Sequence, residues 1–202
     1  MINQTPLMYA VINKYIDIIE VLIKIESIDV NIQNHSGNTA LLLAMDLLHS
    51  EESEANKIVD LLLSKNDINV NIQNNEKITT SCFFNETPLI KAVKKSNLHS
   101  YKSLSKKEGI DFNKKDDEGQ TIIHLAARIK NKELIKEIVS NEKVDVNIKN
   151  GRSKSSLHLA IDYENFYLTS LLIQNKKIDI NSEDNDGRAP LTKIILKIDD
   201  AS

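Results

Sequence analysis

The chain has 202 residues and a mass of 22.8 kDa, and 41% of its residues are hydrophobic, so it is long enough and apolar enough to build a folded core. Its 26 basic and 29 acidic residues give a formal net charge of -3 with no concentrated run of Lys and Arg, which argues against a nucleic-acid partner. No uncharged run approaches the roughly 20 apolar residues of a membrane span, and the single cysteine, Cys82, excludes an internal disulfide and favours a reducing, cytoplasmic compartment.

A hydroxyl or small residue recurs along the chain at a fixed interval. The interval is 34 residues everywhere except between Thr39 and Thr87, where it is 48. The excess is assigned to two insertions, one around HSEESEAN and one around NEKITTSCFF. The recurring positions are Thr5, Thr39, Thr87, Thr121, Ser155 and Ala189. Such a period predicts a repeat protein.

Each recurring position is followed by a short helical phrase, such as TPLMYAV or TPLIKAV. A hydroxyl before the first turn can accept a backbone N–H, and proline suits the next position because its missing donor would be unpaired there. All three prolines occupy that position, and a glycine stands two residues before three of the anchors. The pattern therefore predicts a turn followed by a capped helix in each repeat.

A second helix is predicted about six residues later, with one apolar face spaced as in Ile58, Val59, Leu62 and Leu63. Each second helix is followed by an extended phrase such as IDVN or VDVN, which fits a short hairpin arm. These arms end at Asn31, Asn71, Asn113, Asn147 and Asn181. One helix pair cannot cover its own apolar face, so neighbouring pairs are expected to stack.

The phrases TIIHLAA at 121–127 and SSLHLAI at 155–161, each followed by an IDVN-like arm, closely resemble the ankyrin signature T-P-L-H-x-A. The chain resembles the ankyrin repeat family from end to end. The resemblance implies an all-α solenoid of stacked antiparallel helix pairs with short β-hairpin arms. We expect one domain over residues 1–202, with repeats at about 1–34, 35–74, 75–116, 117–150 and 151–184 and a partial repeat at 185–202 that ends in an unpaired helix.

The third repeat departs most from this pattern. Its first helix carries Lys91 at a usually apolar position, and its second helix keeps only Tyr101 and Leu104 as apolar anchors. We expect this repeat to open first, because missing apolar side chains reduce burial.

Several residues have both a local and a functional interpretation. His124 and His158 each follow a capping hydroxyl by three residues, which favours a local hydrogen-bond network over catalysis or metal binding. The arm asparagines could be hydroxylation substrates, as in some proteins of the family, but a turn amide more often bonds its own backbone. Phe83 and Phe84 could anchor a partner or fold back, and we favour fold-back because adjacent bare aromatics are uncommon.

The resemblance implies a concave groove formed by hairpin tips and first helices, and the repeat alignment assigns residues to it. They are Gln33, His35, Ser36, Asn38 and Asp46 in the second repeat, Lys115, Asp117, Glu118, Gln120 and Arg128 in the fourth, and Lys149, Arg152, Lys154, Asp162 and Tyr163 in the fifth. This mixture of charges suits a protein or peptide partner. Arg128, Arg152 and Tyr163 are the expected anchors.

No nucleophile, metal or phosphate constellation is present in the sequence, so we predict no cofactor, no metal and no enzymatic activity. The expected function is that of a protein-interaction scaffold or adaptor. The alternative is a regulatory or targeting segment of a larger enzyme whose catalytic part lies outside these residues.

Overall fold

A computed structural model describes residues 4–48, 53–75 and 85–192 of the chain. Within these ranges a helix that begins at a capping residue alternates with a second helix that follows a short loop. The first helices are α1 (Pro6–Ile12), α3 (Ala40–Asp46), α5 (Pro88–Lys94), α7 (Ile122–Leu125) and α9 (Ser156–Asp162). The second helices are α2 (Ile16–Leu22), α4 (Ser53–Leu63), α6 (Leu98–Ser105), α8 (Lys132–Ser140) and α10 (Phe166–Gln174). The predicted five helix pairs are confirmed.

The first helices begin where the sequence predicts, because a hydroxyl side chain caps them. Thr5 Oγ1 accepts the backbone N–H of Met8 at 3.2 Å, and Thr87 Oγ1 accepts that of Ile90 at 3.2 Å. Pro6 and Pro88 stand just inside α1 and α5. At that position the ring removes only a donor that the helix would leave unpaired, so proline fixes the start without weakening the helix.

The chain forms two compact units, one ending at Asp111 and the other beginning at Phe112. In the first unit α1 packs on α3 and α3 on α5, while α2 packs on α4 and α4 on α6. In the second unit α7 packs on α9 and α8 on α10. Equivalent helices thus cover one another's apolar faces, as stacking of repeats requires. The expectation of a single domain over the whole chain stays a prediction.

The third repeat buries polar side chains at two positions where a neighbouring repeat is apolar. Ser100 in α6 is fully buried and stands at the position held by buried Leu134 in α8. Lys91 in α5 is only 6% exposed, and its Nζ pairs with the carboxylate of Asp46 and lies 3.7 Å from Glu86 Oε2. The expectation that Lys91 removes burial is therefore wrong, because its charge is buried with partners. The apolar deficit of this repeat lies in α6.

The arms between repeats are turns, and the described residues contain no β-strand. Each tip is nevertheless closed by a backbone hydrogen bond, as between Asn34 N–H and the Asn38 carbonyl at 3.0 Å. The last helical residues of the described range are 190–192. The predicted unpaired final helix beyond them, and the interpretations of Cys82, Phe83 and Phe84, fall outside the described residues.

Candidate partner-binding surface

The hairpin tips are held in one shape by a side chain at their base. In the fifth repeat Asn150 Oδ1 accepts the backbone N–H groups of Arg152 and Lys154 at 2.9 and 3.0 Å. In the second repeat Asn34 does the same for two N–H groups of its own tip at 3.0 and 2.9 Å. Short amide and carboxylate side chains favour such turns because they replace a backbone acceptor. The tips are therefore ordered loops that can present side chains at fixed positions.

The tips of the fourth and fifth repeats approach each other closely, and this approach explains why Gly119 is a glycine. Gly119 has a φ of +71°, and a Cβ added there would lie 2.6 Å from the backbone nitrogen of Gly151. The Gly151 N–H donates to the Glu118 carbonyl at 2.9 Å. The left-handed conformation and the close approach both require glycine at this tip. In the fifth repeat, however, Ser153 occupies the corresponding left-handed position with a φ of 55°.

Seven of the predicted partner-binding residues of the second unit line one cleft of about 190 Å³, and all of them except Gln120 are at least partly exposed. We call these exposed residues the groove cluster: Glu118, Arg128, Arg152, Lys154, Asp162 and Tyr163. They come from the tips of the fourth and fifth repeats, from the turn after α7 and from the end of α9. The repeat alignment therefore brings together residues that are up to 45 positions apart in the sequence.

Two of the three expected anchors bind each other in this cleft. Arg128 Nη2 donates to Tyr163 Oη at 2.5 Å, and the guanidinium carbon lies 4.9 Å from the centre of the Tyr163 ring. Lys154 Nζ donates to Asp162 Oδ2 at 2.6 Å. Arg128 and Arg152 have no carboxylate partner among the described residues, so their positive charges remain available at the surface.

Other predicted site residues tie neighbouring repeats together. Lys115 Nζ donates to the Lys149 carbonyl at 3.0 Å, and Lys149 Nζ donates to the Glu183 carbonyl at 2.7 Å. Gln33 Nε2 donates to the Gln73 carbonyl at 3.1 Å in the same way. These side chains are exposed but already engaged. Asp117 is exposed at its tip and does not line the cleft.

The structure corrects the exposure expected for two site residues. Asn38 and Gln120 are only 2% and 3% exposed. Each closes its tip, because its backbone N–H and carbonyl both bond the residue at the base of the tip, and Gln120 Nε2 also donates to the carboxylate of Glu118. Both therefore offer a partner very little contact area, although Gln120 lines the cleft. The remaining second-repeat residues are placed as follows: His35 is exposed, Ser36 is half-buried, and exposed Asp46 pairs with Lys91.

The two repeat histidines form the expected local network. His124 Nδ1 accepts the Thr121 backbone N–H at 3.2 Å and lies 3.0 Å from its hydroxyl oxygen, while His124 Nε2 lies 3.1 Å from the Lys154 carbonyl. The acceptor role of Nδ1 assigns the proton of the neutral ring to Nε2, which donates to Lys154. His158 makes the same contacts with Ser155 and with the Arg188 carbonyl.

Burial lowers the pKa of His124 from 6.5 to about 4. The cause is removal of the ring from water, which disfavours its charged form, and the positive charge of Lys115 acts in the same direction. The carbonyls of Lys154 and Ile148 oppose the change because they accept hydrogen bonds from the ring. The neutral ring supports the cap of α7 and the tip that carries Lys154.

Four of the five arm asparagines bond the next repeat through their side chains, so for these four the expectation that they bond their own backbone is wrong. Asn113 Nδ2 donates to the Lys143 carbonyl at 2.9 Å, and Asn113 Oδ1 accepts the Asp145 N–H at 2.9 Å. Asn147 makes the equivalent bonds to Lys177 and Asp179, at 2.7 and 2.8 Å. Asn31 and Asn71 form the same links within the first unit. We call each two-bond link an asparagine rung.

A second cleft was not singled out by the sequence reasoning. It measures about 540 Å³ and lies between the loop after α7 and the loop after α9. We call it the loop cleft and define it by Arg128, Lys130, Lys132, Tyr163, Phe166 and Tyr167. The signal in the sequence is DYENFY at 162–167, which places three aromatics where the fourth repeat has RIKNKE. The alignment missed it because only tips and first helices were assigned to the groove.

The described residues were also compared with the requirements of a metal site and of a membrane-spanning helix. No three His, Cys, Asp or Glu side chains within the described ranges are grouped so that they could hold a metal ion. None of the described helices is long and apolar enough to cross a membrane.

Comparison with known proteins agrees with this architecture. The family model for ankyrin repeats (3 copies) matches residues 2–74, 47–150 and 123–197, and no match was found among curated proteins. The ankyrin repeat protein EF0377 superposes with a TM-score of 0.78 at 19% identity, over 95% of this chain and 90% of that one. The ankyrin repeat domain of Bcl-3, a member of the IkappaB protein family, superposes with a TM-score of 0.75 at 18% identity, over 94% of this chain and 78% of that one. The all-α helix pairs, their caps and these matches show that the chain is an ankyrin-repeat solenoid and belongs to the ankyrin repeat family.

Proposed function

We propose that this chain is a scaffold or adaptor that binds a protein or peptide partner through its hairpin tips and concave helix face. Ankyrin repeats are in general protein-interaction modules, and proteins of this fold are typically not catalytic. The observation that carries the proposal is the groove cluster, in which Arg128, Tyr163 and Arg152 line one cleft. We further propose that the chain is not an enzyme and that it acts in the cytoplasm or another reducing compartment.

The Arg128–Tyr163 pair suits an anchor because it is ordered before any partner arrives. Arg and Tyr are enriched among residues that dominate binding energy. A side chain that is already fixed loses less conformational freedom on binding, so more of its contact energy appears as affinity. The hydrogen bond to Tyr163 Oη and the stacking on the ring fix the guanidinium in this way. Its remaining N–H donors can reach a carbonyl or carboxylate of a partner.

The other charges of the groove cluster favour a protein over a uniformly charged polymer. Glu118 and Asp162 carry negative charge within the same cleft as Arg152 and Lys154. Asp162 is paired with Lys154, and Arg152 stands on an ordered tip. A surface of mixed sign selects a partner with the complementary arrangement. In the first unit, we propose that Gln33, His35, Ser36 and Asp46 provide further contacts.

Charge reversal and affinity capture test this proposal. Arg128→Glu with Arg152→Glu should abolish capture of the partner from native cell extract, measured by quantitative mass spectrometry against the wild-type chain. Exposed charges change folding free energy by only about 0.5 kcal/mol, whereas an interface anchor contributes about 2 kcal/mol or more. The melting temperature should therefore stay nearly the same.

The matched control reverses two charges on the second helix of the fourth repeat, Lys136→Glu with Glu137→Lys. These residues lie in α8 and do not line the groove cluster. Capture should survive this change. Loss of capture in the control but not in the Arg128 and Arg152 variant would show that the partner uses the opposite face.

A further inference from the structure

The loop cleft combines exposed aromatic rings with unpaired positive charge. Phe166, the first residue of α10, is 78% exposed, more than any other large hydrophobic side chain in the described residues. Tyr163 is also exposed, and Tyr167 is half-buried beside it. Exposed apolar surface that is grouped in this way marks a contact site more often than scattered single residues do.

Three cations border these rings. Arg128 lies over Tyr163 at 4.9 Å, and Lys132 Nζ lies 5.5 Å from the centre of the Tyr167 ring. Lys130 is exposed on the loop between them. None of the three pairs with a carboxylate among the described residues, and Glu164 is the one acidic residue that lines the cleft. The cleft therefore carries an excess of positive charge.

We propose that the loop cleft binds an acidic peptide segment that carries an aromatic or large aliphatic side chain. The apolar side chain packs against Phe166 and Tyr167, while carboxylates on either side of it bind Arg128, Lys130 and Lys132. The two cations that are stacked on rings are already positioned, which reduces the entropy lost on binding. The inference rests on the proposed function in that it assumes a protein partner. It shares Arg128 with the groove cluster but adds contacts at Lys130, Lys132, Phe166 and Tyr167, which lie outside that cluster.

A peptide partner is favoured over single-stranded nucleic acid by the charge distribution. A nucleic acid presents one negative charge per nucleotide and needs a basic track along its backbone. The cations of the cleft all come from one short stretch of chain, residues 128–132, and the chain as a whole carries a net charge of -3. A short acidic segment matches this local charge better.

The test is selection of linear peptides from a random phage-displayed library on the full chain. The most enriched peptide is then labelled with a fluorophore, and its Kd is measured by anisotropy. Phe166→Ala and Lys132→Glu should each raise the Kd at least about tenfold. The controls are Ile173→Ala, an exposed apolar residue of the same helix α10, and Lys136→Glu, a lysine of the same helix α8. Both should leave the Kd unchanged, and all four variants should keep the wild-type melting temperature.

Enriched peptides that are acidic and carry an aromatic or large aliphatic residue, with binding lost in the cleft variants alone, support the inference. It is overturned if no peptide is enriched, if the enriched peptides are neutral or basic, or if Phe166→Ala and Lys132→Glu leave the Kd unchanged. Tighter binding of oligo(dT) than of the peptide, sensitive to the same two variants, would overturn it in favour of nucleic acid.

The Arg152→Glu variant separates this inference from the proposed function. Arg152 lines the groove cluster and does not line the loop cleft. If Arg152→Glu abolishes partner capture while the cleft variants do not affect peptide binding, the inference fails and the proposed function stands. If only the cleft variants abolish capture and peptide binding, the groove proposal fails and the loop cleft is the binding site.

Discussion

The buried ring of His124 should make folding of this chain sensitive to mild acid. The informative change is His124→Gln, because glutamine at the third helical position can accept the Thr121 N–H as the ring does but does not titrate. The folded-state pKa of His124 is lowered from 6.5 to about 4. Between these two values the unfolded chain holds a proton at this ring that the folded chain lacks.

The sign and size of the effect follow from that difference. Because the folded pKa is the lower one, the stabilisation is fully present above pH 6.5 and is lost as the pH falls towards about 4. One pKa unit corresponds to about 1.4 kcal/mol, so lowering the pH from about 7.5 to about 5 should cost about 2 kcal/mol through this residue. The total over the whole window is about 3 kcal/mol.

Urea unfolding of the wild-type chain and the variant at several pH values measures this contribution. The loss of unfolding free energy between about pH 7.5 and pH 5 should be about 2 kcal/mol smaller in His124→Gln than in wild type. Replacement of an exposed histidine, His35→Gln, serves as the control and should leave the wild-type pH dependence in place. If wild type and His124→Gln show the same pH dependence, the buried neutral ring is not the source of acid sensitivity.

Two further predictions concern the links between repeats. Asn147→Ala removes both bonds of an asparagine rung and should lower the unfolding free energy by about 1 to 3 kcal/mol in urea titrations. The control is Asn181→Ala, an exposed residue at the same position one repeat later, which should change the unfolding free energy by no more than about 0.5 kcal/mol. Equal effects of the two substitutions would contradict the role of the rung. Hydrogen exchange should be faster over residues 98–107 than over 134–140, because Ser100 replaces a buried leucine worth about 1.5 to 3 kcal/mol. Equal protection of the two segments would contradict this.

The sequence was sufficient for features that are set by neighbouring residues. Thr5 and Thr87 cap their helices, and Gly119 takes the left-handed conformation, because each depends on a few adjacent positions. The helix pairs followed from the apolar spacing for the same reason. The histidine network was predicted in outline, since His124 and its capping hydroxyl are three residues apart.

The sequence was insufficient where a side chain meets another repeat. The asparagine rungs join residues 30 or more positions apart, so Asn113 looked like an ordinary turn residue until its partner loop was in place. Lys91 looked like a defect because its partner Asp46 belongs to the preceding repeat. Gln120 was expected to be exposed because it stands next to the tip glycine in the sequence. Its hydrogen bonds to Asp116, which close the tip, were not foreseen.

The loop cleft illustrates a different difficulty. Phe166 and Lys132 hold equivalent positions in successive repeats, yet one side chain is aromatic and uncharged and the other is a flexible cation. An alignment of repeats finds what the repeats share, and a binding site is built from what they do not share. The residues that depart from the pattern are therefore the ones to examine first in such chains.

The asparagine rung also bears on how a chain of this kind can lengthen or shorten. Each repeat supplies an amide at its own arm and offers one carbonyl and one N–H to the arm before it, as Asn113 and Asn147 show with Asp145 and Asp179. Duplication of a 34-residue segment therefore copies the two halves of a link together, and excision brings two compatible halves into contact. Gain or loss of whole repeats therefore leaves no unpaired amide at the junction. Insertions between two arms are tolerated as well, since Asn31 and Asn71 bond carbonyls 36 and 38 residues away, whereas Asn113 and Asn147 bond carbonyls 30 residues away.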